Sequence, residues 1–266
     1  MDFFSGLWYT VFNHNDGAVC PKGGAAVRVD VLGVAFDNVT REEAVERALE
    51  LLEQEGTHLV ATPNPEIIQT ARRDGEFARV LAGAELVLAD GIGVVLAAKI
   101  LGRPLKGRVP GIDFAAALME RLAKTDKRLF LLGARPGVAE EAADKLRAHY
   151  PGLTICGVHD GYFQEDAPVA EAIRAAEADV VFICLGAPKQ EMWAAQWGPA
   201  TGARLFAGLG GSLDVFAGRV KRAPAAFQKL GLEWLYRLCK EPSRIGRMAR
   251  LPLILGQAAA ARLRGQ

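Results

Sequence analysis

From Val27 onward, short apolar runs alternate with longer stretches that have the apolar spacing of amphipathic helices. This alternation is typical of βα units, in which helices connect parallel strands and cover both faces of one sheet. We therefore predict an α/β fold of the Rossmann-like class, with a mostly parallel sheet and helices on both faces. The predicted strands are Val27–Leu32, His58–Ala61, Glu85–Leu88, Arg128–Leu132, Leu153–Val158, Val180–Leu185 and Arg204–Ala207. The predicted helices are Arg41–Gln54, about Glu66–Arg73, Ile92–Leu101, Ile112–Lys124, Val138–His149, Val169–Ala178 and Lys189–Gln196.

The sequence changes character at both ends of this alternating region. Residues 1–26 form a variable extension whose aromatic stripe could enter a membrane interface, pack on the body or belong to a disordered segment. Residues 27–218 form the α/β domain. Residues 219–266 form a C-terminal basic helical appendage, interrupted at Pro242 and Pro252.

The charge is unevenly distributed along the chain. The whole chain has a formal net charge of +1. Residues 219–266 contain 11 basic and 2 acidic side chains, a net of +9, which leaves the rest with 21 basic and 29 acidic side chains, a net of −8. A basic tail on an acidic body indicates an anionic partner. Nucleic acid, an anionic lipid surface and a pyrophosphate-bearing substrate all fit this charge, as does a solvated amphipathic helix.

Residue spacing argues against a bound metal and a membrane span. The four cysteines include no CxxC pair, the four histidines have no HxH or HxxxH spacing, and no Asp-x-Asp pair occurs. The late uncharged run Leu251–Ala261 is too short to cross a bilayer, and Asp2 lies where a signal peptide has basic residues. We therefore expect a cytoplasmic protein without metal or cofactor.

Small or polar residues follow five of the predicted strands at the point where each strand ends. In open α/β sheets, ligands bind beyond the carboxyl ends of the strands, which lie at one edge when the strands are parallel. These five loops therefore predict a substrate cleft at that edge. The loops are Thr62–Pro65, Ala89–Gly91, Gly133–Gly137, Gly186–Gln190 and Gly208–Gly211.

Two of these loops and Asp90 each allow two interpretations from the residues alone. The loops Gly133–Gly137 and Gly208–Gly211 could bind phosphate through backbone N–H groups or be ordinary turns, since neither has a GxGxxG or P-loop pattern. Asp90 lies between a strand and a helix, so it could cap that helix or act as a general base in the cleft. From position alone, the cap is the simpler interpretation of Asp90.

Five motifs occur in order along the chain. They are Ala61–Glu66 (ATPNPE), Ala89–Gly93 (ADGIG), Arg108–Asp113 (RVPGID), Leu185–Glu191 (LGAPKQE) and the spaced segment Arg222–Arg237. Together they resemble the WecG/TagA/CpsF family of bacterial glycosyltransferases, which is glycosyltransferase family 26. The resemblance runs from about Val27 to Met248 and leaves out the first 26 and about the last 15 residues.

The resemblance implies an inverting, metal-independent glycosyltransferase. Family members move N-acetylmannosamine or N-acetylmannosaminuronic acid from a UDP-sugar to undecaprenyl-pyrophosphate-linked N-acetylglucosamine, for teichoic acid, enterobacterial common antigen or capsule synthesis. The implied partners are a UDP-sugar, a lipid-linked acceptor and the inner membrane surface, to which the protein would bind peripherally from the cytoplasm, and a homo-oligomer is compatible with this. Without a metal, fixed cations must neutralise the departing UDP, and the basic tail would supply them.

The family's functional residues carry over to matching positions of this chain. Asp90 would be the base that deprotonates the acceptor hydroxyl. Thr62, Asn64 and Gln190 would hold sugar hydroxyls or the acetamido group, and Arg108 would face a phosphate. In the family, arginines of the tail complete the site, and the matching positions here are Arg237, Arg244 and Arg247. The other predicted substrate-binding residues are Gly133, Gly137, Tyr162, Lys189, Gly210 and Asp214.

Several alternatives remain open. A non-catalytic nucleotide-binding module that regulates an envelope-polysaccharide complex fits the same fold, although the presence of Asp90, Thr62 and Gln190 argues against it. A dinucleotide-dependent oxidoreductase lacks its GxGxxG pattern. A nucleic-acid binder fits the tail but not the acidic body, so we expect no nucleic acid partner. Tyr162 and Asp214 could contact a nucleoside, or be a packing aromatic and a helix cap.

Overall fold

A computed structural model describes residues 27–224, 227, 233–240 and 250–265. Its first element is an antiparallel hairpin of strands β1 (Arg28–Val31) and β2 (Val34–Asp37), which form a sheet of their own. The tight turn between them has Leu32 at φ 57° and Gly33 at φ 93°, the positive values that a type I′ hairpin turn requires. Residues of the predicted strand Val27–Leu32 do form a strand, but the prediction that it belongs to the main parallel sheet is wrong, because the turn pairs it with Val34–Asp37.

The main sheet has six strands, all parallel, in the order β4-β3-β8-β7-β5-β6. The strands are β3 (His58–Ala61), β4 (Leu86–Val87), β5 (Arg128–Gly133), β6 (Thr154–His159), β7 (Val180–Cys184) and β8 (Leu205–Gly208). The first and last of these strands, β3 and β8, are neighbours, with His58 paired to Leu205. The central strands are buried along their whole length, as expected for a parallel sheet covered on both faces.

Helices cover both faces of this sheet, so the predicted α/β class is confirmed. One hydrophobic core lies under α2 (Pro65–Ala71), α3 (Gly75–Gly83), α4 (Ile92–Ile100), α7 (Asp166–Ala175) and α8 (Lys189–Thr201). A second core, on the other face, lies under α1 (Arg41–Leu52), α5 (Gly111–Leu122), α6 (Val138–His149) and α9 (Ser212–Phe216).

The connections between strands and helices create a crevice at one edge of the sheet. The helices that follow β3 and β7, α2 and α8, pack on one face, whereas α9, which follows the strand between them, packs on the other. Loops that leave neighbouring strands toward opposite faces diverge, and this divergence is where doubly wound α/β proteins bind ligands. The crevice lies at the carboxyl ends of β3, β8 and β7.

The described helices of the C-terminal region are α10 (Glu233–Lys240) and α11 (Arg250–Leu263). Helix α11 is part of the body's packing, because Ile254 and Ala258 are fully buried in the core beneath α2 and α4. Gly93 of α4 has no side chain where Leu251 packs, and a Cβ there would collide with it. Pro252 lies inside α11 near its first described residue, and Pro242, the other expected interruption, lies outside the described residues.

Two body helices were not predicted. Helix α3 begins at an N-cap, Asp74, whose carboxylate accepts from the backbone N–H groups of Glu76 and Phe77, and α9 is a single short turn. Helix α8 continues to Thr201, past the predicted end at Gln196, although Pro199 lies inside it and cannot donate a helical hydrogen bond.

Candidate active site

The predicted site residues that follow the strands lie along one edge, because every strand of the main sheet runs in the same direction. Along this edge, Asp90 follows β4, Thr62 and Asn64 follow β3, Gly210 and Asp214 follow β8, Lys189 and Gln190 follow β7, Gly133 and Gly137 follow β5, and Tyr162 follows β6. The crevice lies at the ends of β3, β8 and β7, which are consecutive neighbours, and β4 adjoins β3. The loops of these four strands therefore form the centre of the candidate site.

Asp90 is half-buried in a loop that is held from two sides. Its backbone N–H donates to the Pro63 carbonyl at 3.1 Å, and the neighbouring Ala89 carbonyl accepts from Val109 N at 2.9 Å. The N-cap position of α4 is Gly91, at φ 102°, which has no side chain to make a capping hydrogen bond. Asp90 lies one residue before this position, and the choice between a helix cap and a general base stays a prediction.

Asn64 and Thr62 each make a hydrogen bond within the fold. The Asn64 side-chain oxygen caps α2 by accepting from the N–H groups of Glu66 at 2.9 Å and Ile67 at 3.0 Å. This orientation leaves the amide nitrogen as the atom with which Asn64 can donate to a ligand. The buried Thr62 hydroxyl donates to the Gly208 carbonyl at 2.7 Å, which ties the loop after β3 to the end of β8.

Gln190 lies below the crevice, in the first turn of α8. Its side chain is only 1% exposed, and it contacts the neighbouring Glu191 and the backbone of Gly210. Its position connects the loops after β7 and β8.

Arg108 belongs to a chain of alternating charges beside the crevice. Its Nη1 donates to Glu233 Oε2 at 2.6 Å, and Arg222 Nε donates to the other oxygen of Glu233 at 3.2 Å. Arg222 also donates hydrogen bonds to both carboxylate oxygens of Asp113, and this contact raises the pKa of the Arg222 guanidinium. A cavity of about 350 Å³ adjoins these pairs, lined in part by Lys106, Arg108 and Asp113. The network joins α10 to the segment whose Val109 contacts the Asp90 loop.

The loop Gly133–Gly137 has a structural requirement for its glycines. Gly133 has φ 128°, and a Cβ on it would collide with the Cys184 backbone of the neighbouring strand. Gly137 is the left-handed N-cap of α6, at φ 81°. The first turn of α6 carries two exposed carboxylates, of Glu140 and Glu141, and Arg219 pairs with both oxygens of Glu141.

The three remaining residues of the body lie farther from Asp90 or at the surface. Tyr162 is 67% exposed and follows the outermost strand β6, five strand intervals or about 24 Å from β4. The Lys189 ammonium lies 4.5 Å from the centre of the Phe163 ring, a cation–π contact. Asp214 is half-buried in the first turn of α9.

The three tail arginines are not placed by the structure. Arg237 belongs to α10, but its side chain lies outside the described residues, as do Arg244 and Arg247 altogether.

Within the described residues, no three His, Cys, Asp or Glu side chains cluster in a way that could hold a metal ion. In the same part of the chain, no helix is both long enough and apolar enough to cross a membrane.

Sequence reasoning did not identify Glu191, Glu233, Arg222 or Asp113 as site residues. All four lie inside the recognised motifs, so the motifs themselves were the available signal. Their partners are distant in the chain, since Arg108 and Glu233 are separated by 125 residues.

The fold defines the class of this protein as Rossmann-like α/β, with a candidate ligand site where the loops of β3, β8 and β7 diverge. The family model described as Glycosyl transferase WecG/TagA/CpsF family matches residues 29–266, and the chain belongs to that family. This match reaches the last residue, so the expectation that about the last 15 residues lie outside the family pattern is wrong.

Two curated relatives carry the name N-acetylglucosaminyldiphosphoundecaprenol N-acetyl-beta-D-mannosaminyltransferase. The relative from Bacillus spizizenii is 39% identical over 201 residues, which cover 76% of this chain and 78% of that protein. The relative from Staphylococcus aureus strain MW2 is 36% identical over 238 residues, which cover 88% of this chain and 93% of that protein.

Proposed function

We propose that this chain transfers an N-acetylmannosaminyl group from a UDP-sugar to undecaprenyl-pyrophosphate-linked N-acetylglucosamine, with inversion and without a metal ion. The observation that carries the proposal is the position of Asp90, a half-buried carboxylate in the loop after β4, which a backbone hydrogen bond ties to the loop after β3 at Pro63. The names of the two relatives supply the donor sugar and the acceptor. The UDP part of the donor and the metal independence come from the family resemblance and from the residue spacing.

In this reaction, the acceptor hydroxyl oxygen attacks the anomeric carbon from the side opposite the leaving group. The new C–O bond forms as the bond between that carbon and the phosphate oxygen breaks, and UDP leaves with the bonding electrons. The hydroxyl proton passes to the Asp90 carboxylate, which acts as general base. The amide nitrogen of Asn64 lies on the adjacent loop and is suited to donate to a sugar oxygen.

The departing pyrophosphate needs positive charge, and Arg108 is the described cation that fits this role. Guanidinium groups bind phosphate oxygens through paired N–H donors. Arg108 donates to the carboxylate of Glu233, an anion with hydrogen-bonding geometry similar to that of a phosphate. The tail arginines Arg237, Arg244 and Arg247 would add to this charge, as the family resemblance implies.

Peripheral membrane binding is the part of the proposal that concerns location. Two neighbouring helices, α4 and α11, expose large apolar side chains, namely Leu96, Ile100, Leu253 and Leu263. The same helices end near basic residues, since Arg103, Arg262 and Arg264 are exposed. Apolar side chains beside cations suit an anionic bilayer surface, where each cation contributes about 1 kcal/mol.

The test is a transfer assay with purified protein, a set of UDP-sugars and a short-chain lipid-pyrophosphate-linked N-acetylglucosamine. Product mass should show one added N-acetylhexosamine from UDP-N-acetylmannosamine, and activity should persist in excess EDTA. Loss of activity in EDTA with recovery on adding Mg²⁺ or Mn²⁺ would contradict metal independence. A chain that binds UDP but neither transfers nor hydrolyses any donor would instead be a regulatory nucleotide-binding module.

A further inference from the structure

Two polar side chains are almost completely buried where α8 begins beneath the crevice. Gln190 is 1% exposed and Glu191 is 0% exposed. They occupy the space beside Gly208, where an added Cβ would lie 2.9 Å from Gln190 Nε2 and 3.3 Å from Glu191 Oε1. The end of β8 is therefore packed directly against an amide and a carboxyl group.

The hydrogen bonds determine which way the Gln190 amide points. The backbone N–H of Gly210 lies 3.0 Å from Gln190 Oε1, and because a peptide nitrogen can only donate, the oxygen of the amide must face it. The amide nitrogen then faces Glu191, where Nε2 donates to Oε1 at 2.8 Å. Glu191 thus selects one of the two amide orientations, since its oxygen accepts from the nitrogen end.

The environment of Glu191 favours its neutral form. Burial raises the pKa of this carboxyl group, and the hydrogen bonds from Gln190 and its own backbone oppose that rise only in part. The other oxygen, Oε2, has no hydrogen-bond partner among the residues that the structure describes. A neutral acid still presents a carbonyl oxygen to Gln190 without placing an uncompensated charge in the core.

We propose that Glu191 is a positioning residue, which holds the Gln190 amide so that its oxygen fixes the Gly210 peptide and with it the wall of the crevice that follows β8. Gln190 then acts from below that wall, through Gly210, and not as a direct ligand of the sugar. This inference rests on the proposed function for its effect on the donor, but its effect on the loop does not depend on any substrate.

The physical consequence of losing Glu191 follows from the geometry. Without an acceptor at Oε1, the buried Nε2 loses its partner, and the Gly210 N–H alone then holds the amide in this orientation. Leaving one buried polar group unsatisfied changes an equilibrium by on the order of tenfold or more. The loop that contains Gly210, at φ 55°, should open more often as a result.

The experiment compares Glu191→Leu, Glu191→Gln and the control Thr201→Val. Thr201 is a buried polar residue of the same helix, but its hydroxyl contacts Gly198 and Ala203 at the far end. The measurements are amide hydrogen exchange at Gly210 by NMR without substrate, and kcat and KM for the UDP-sugar.

In the wild type, we expect the Gly210 amide to be protected from exchange. Glu191→Leu should speed its exchange by on the order of tenfold and raise the donor KM by a similar factor, with a smaller change in kcat. Glu191→Gln should restore both, because its side-chain oxygen accepts from Nε2 in the same place. Thr201→Val should alter neither, even where it lowers the unfolding temperature.

An unprotected Gly210 amide in the wild type would overturn the proposal without any variant, so the test holds even if Glu191→Leu does not fold. The proposal is also overturned if Glu191→Gln fails to rescue, or if Thr201→Val speeds Gly210 exchange equally. If exchange at Gly210 responds as expected but no UDP-sugar is used, the positioning role stands and the proposed function fails.

Discussion

Arg108 Nη1 donates a 2.6 Å hydrogen bond to Glu233 Oε2, and this pair joins the segment beside the crevice to helix α10. Both side chains are mostly buried, with 20% and 14% exposed, and Arg222 adds a second cation to the same carboxylate. Arg108 is the residue that we propose to bind the donor phosphate. The carboxylate of Glu233 therefore uses a hydrogen-bond donor that the phosphate would need. Donor binding and the docking of α10 are expected to be coupled through this one guanidinium.

The first prediction concerns that coupling. Glu233→Gln should loosen α10 and speed amide exchange in residues 233–240 by on the order of tenfold, because a hydrogen bond to a charged group contributes about 1.5–3 kcal/mol. Exchange in the strands of the main sheet should not change. The control is Glu42→Gln, which removes an exposed acid paired with Arg41 on the surface. Equal exchange in residues 233–240 for wild type and Glu233→Gln, measured by mass spectrometry, would show that the pair does not hold α10.

The second prediction concerns the general base. Asp90→Asn should lower kcat by roughly 10²–10⁴-fold while UDP still binds, because the amide cannot accept the acceptor's proton. Asparagine has nearly the same shape as aspartate, so we expect the fold to persist, and thermal unfolding checks this. Turnover close to that of the wild type, measured with the lipid-linked acceptor, would contradict the assignment of Asp90.

Much of the fold follows from local patterns, and the failures have local causes. The bounds of β3 and α6 were predicted as observed, because an apolar run between polar turns and an apolar stripe that starts after Gly137 are both visible in the sequence. Strand β2 was not predicted, because the turn before it has Leu32 at a positive φ, which leucine rarely adopts. The site was predictable as a set of strand ends, since parallel strands bring those ends to one edge.

The roles of individual side chains in the site were harder to predict. Asn64 was expected to contact a sugar, but its oxygen caps α2 with geometry that only the folded backbone reveals. Glu191 was visible as part of a motif, whereas its role depends on Gly208 and Gly210, which belong to a different strand and loop. Residue type indicates which chemistry is available, and tertiary contacts decide which atoms are used.

The third prediction separates the two ends of the Asn64 amide. Asn64→Asp keeps an oxygen that caps α2 but loses the N–H donor, so it should retain stability and raise the donor KM. Asn64→Ala should also lose about 1 kcal/mol of unfolding free energy, the usual cost of removing an N-cap. Thermal unfolding and steady-state kinetics of both variants provide the test. A donor KM for Asn64→Asp equal to that of the wild type would exclude this amide from substrate binding.

The fourth prediction concerns the pH dependence of stability. Burial raises the pKa of Glu191 from the ordinary 4.5, so its contribution to folding is complete below about pH 4.5 and is lost as pH rises through the folded-state value. Glu191→Gln does not titrate, so it should gain stability relative to wild type over that interval. Denaturant unfolding of both proteins between about pH 4 and pH 8 measures the difference in their unfolding free energies. A stability difference that does not vary with pH would mean that folding does not raise the pKa of Glu191.

The control for that measurement is Glu42, an acid whose pKa is shifted in the opposite direction. A backbone hydrogen bond and the Arg41 side chain lower the pKa of Glu42, which is fully exposed. Its contribution is present above its ordinary pKa and is lost as pH falls. Glu42→Gln should therefore not gain stability relative to wild type as the pH rises.

The last prediction distinguishes packing from membrane contact in helix α11. Ile254 is fully buried against the body, whereas the adjacent Leu253 is 43% exposed. Ile254→Ala should therefore cost about 2–5 kcal/mol of unfolding free energy, and Leu253→Ala should cost less than about 0.5 kcal/mol. If α11 rests on an anionic bilayer, Leu253→Ala should weaken sedimentation with phosphatidylglycerol-containing liposomes.

This result would also decide how a shortened chain behaves. Removal of residues 219–266 uncovers the core surface that Ile254 and Ala258 fill, so we expect the truncated chain to be much less stable than the full chain. If the tail were an appendage that does not contribute to the core, the truncated chain would be as stable as the full chain. Full liposome binding by Leu253→Ala, together with an unchanged unfolding free energy for Ile254→Ala, would show that α11 contributes to neither role.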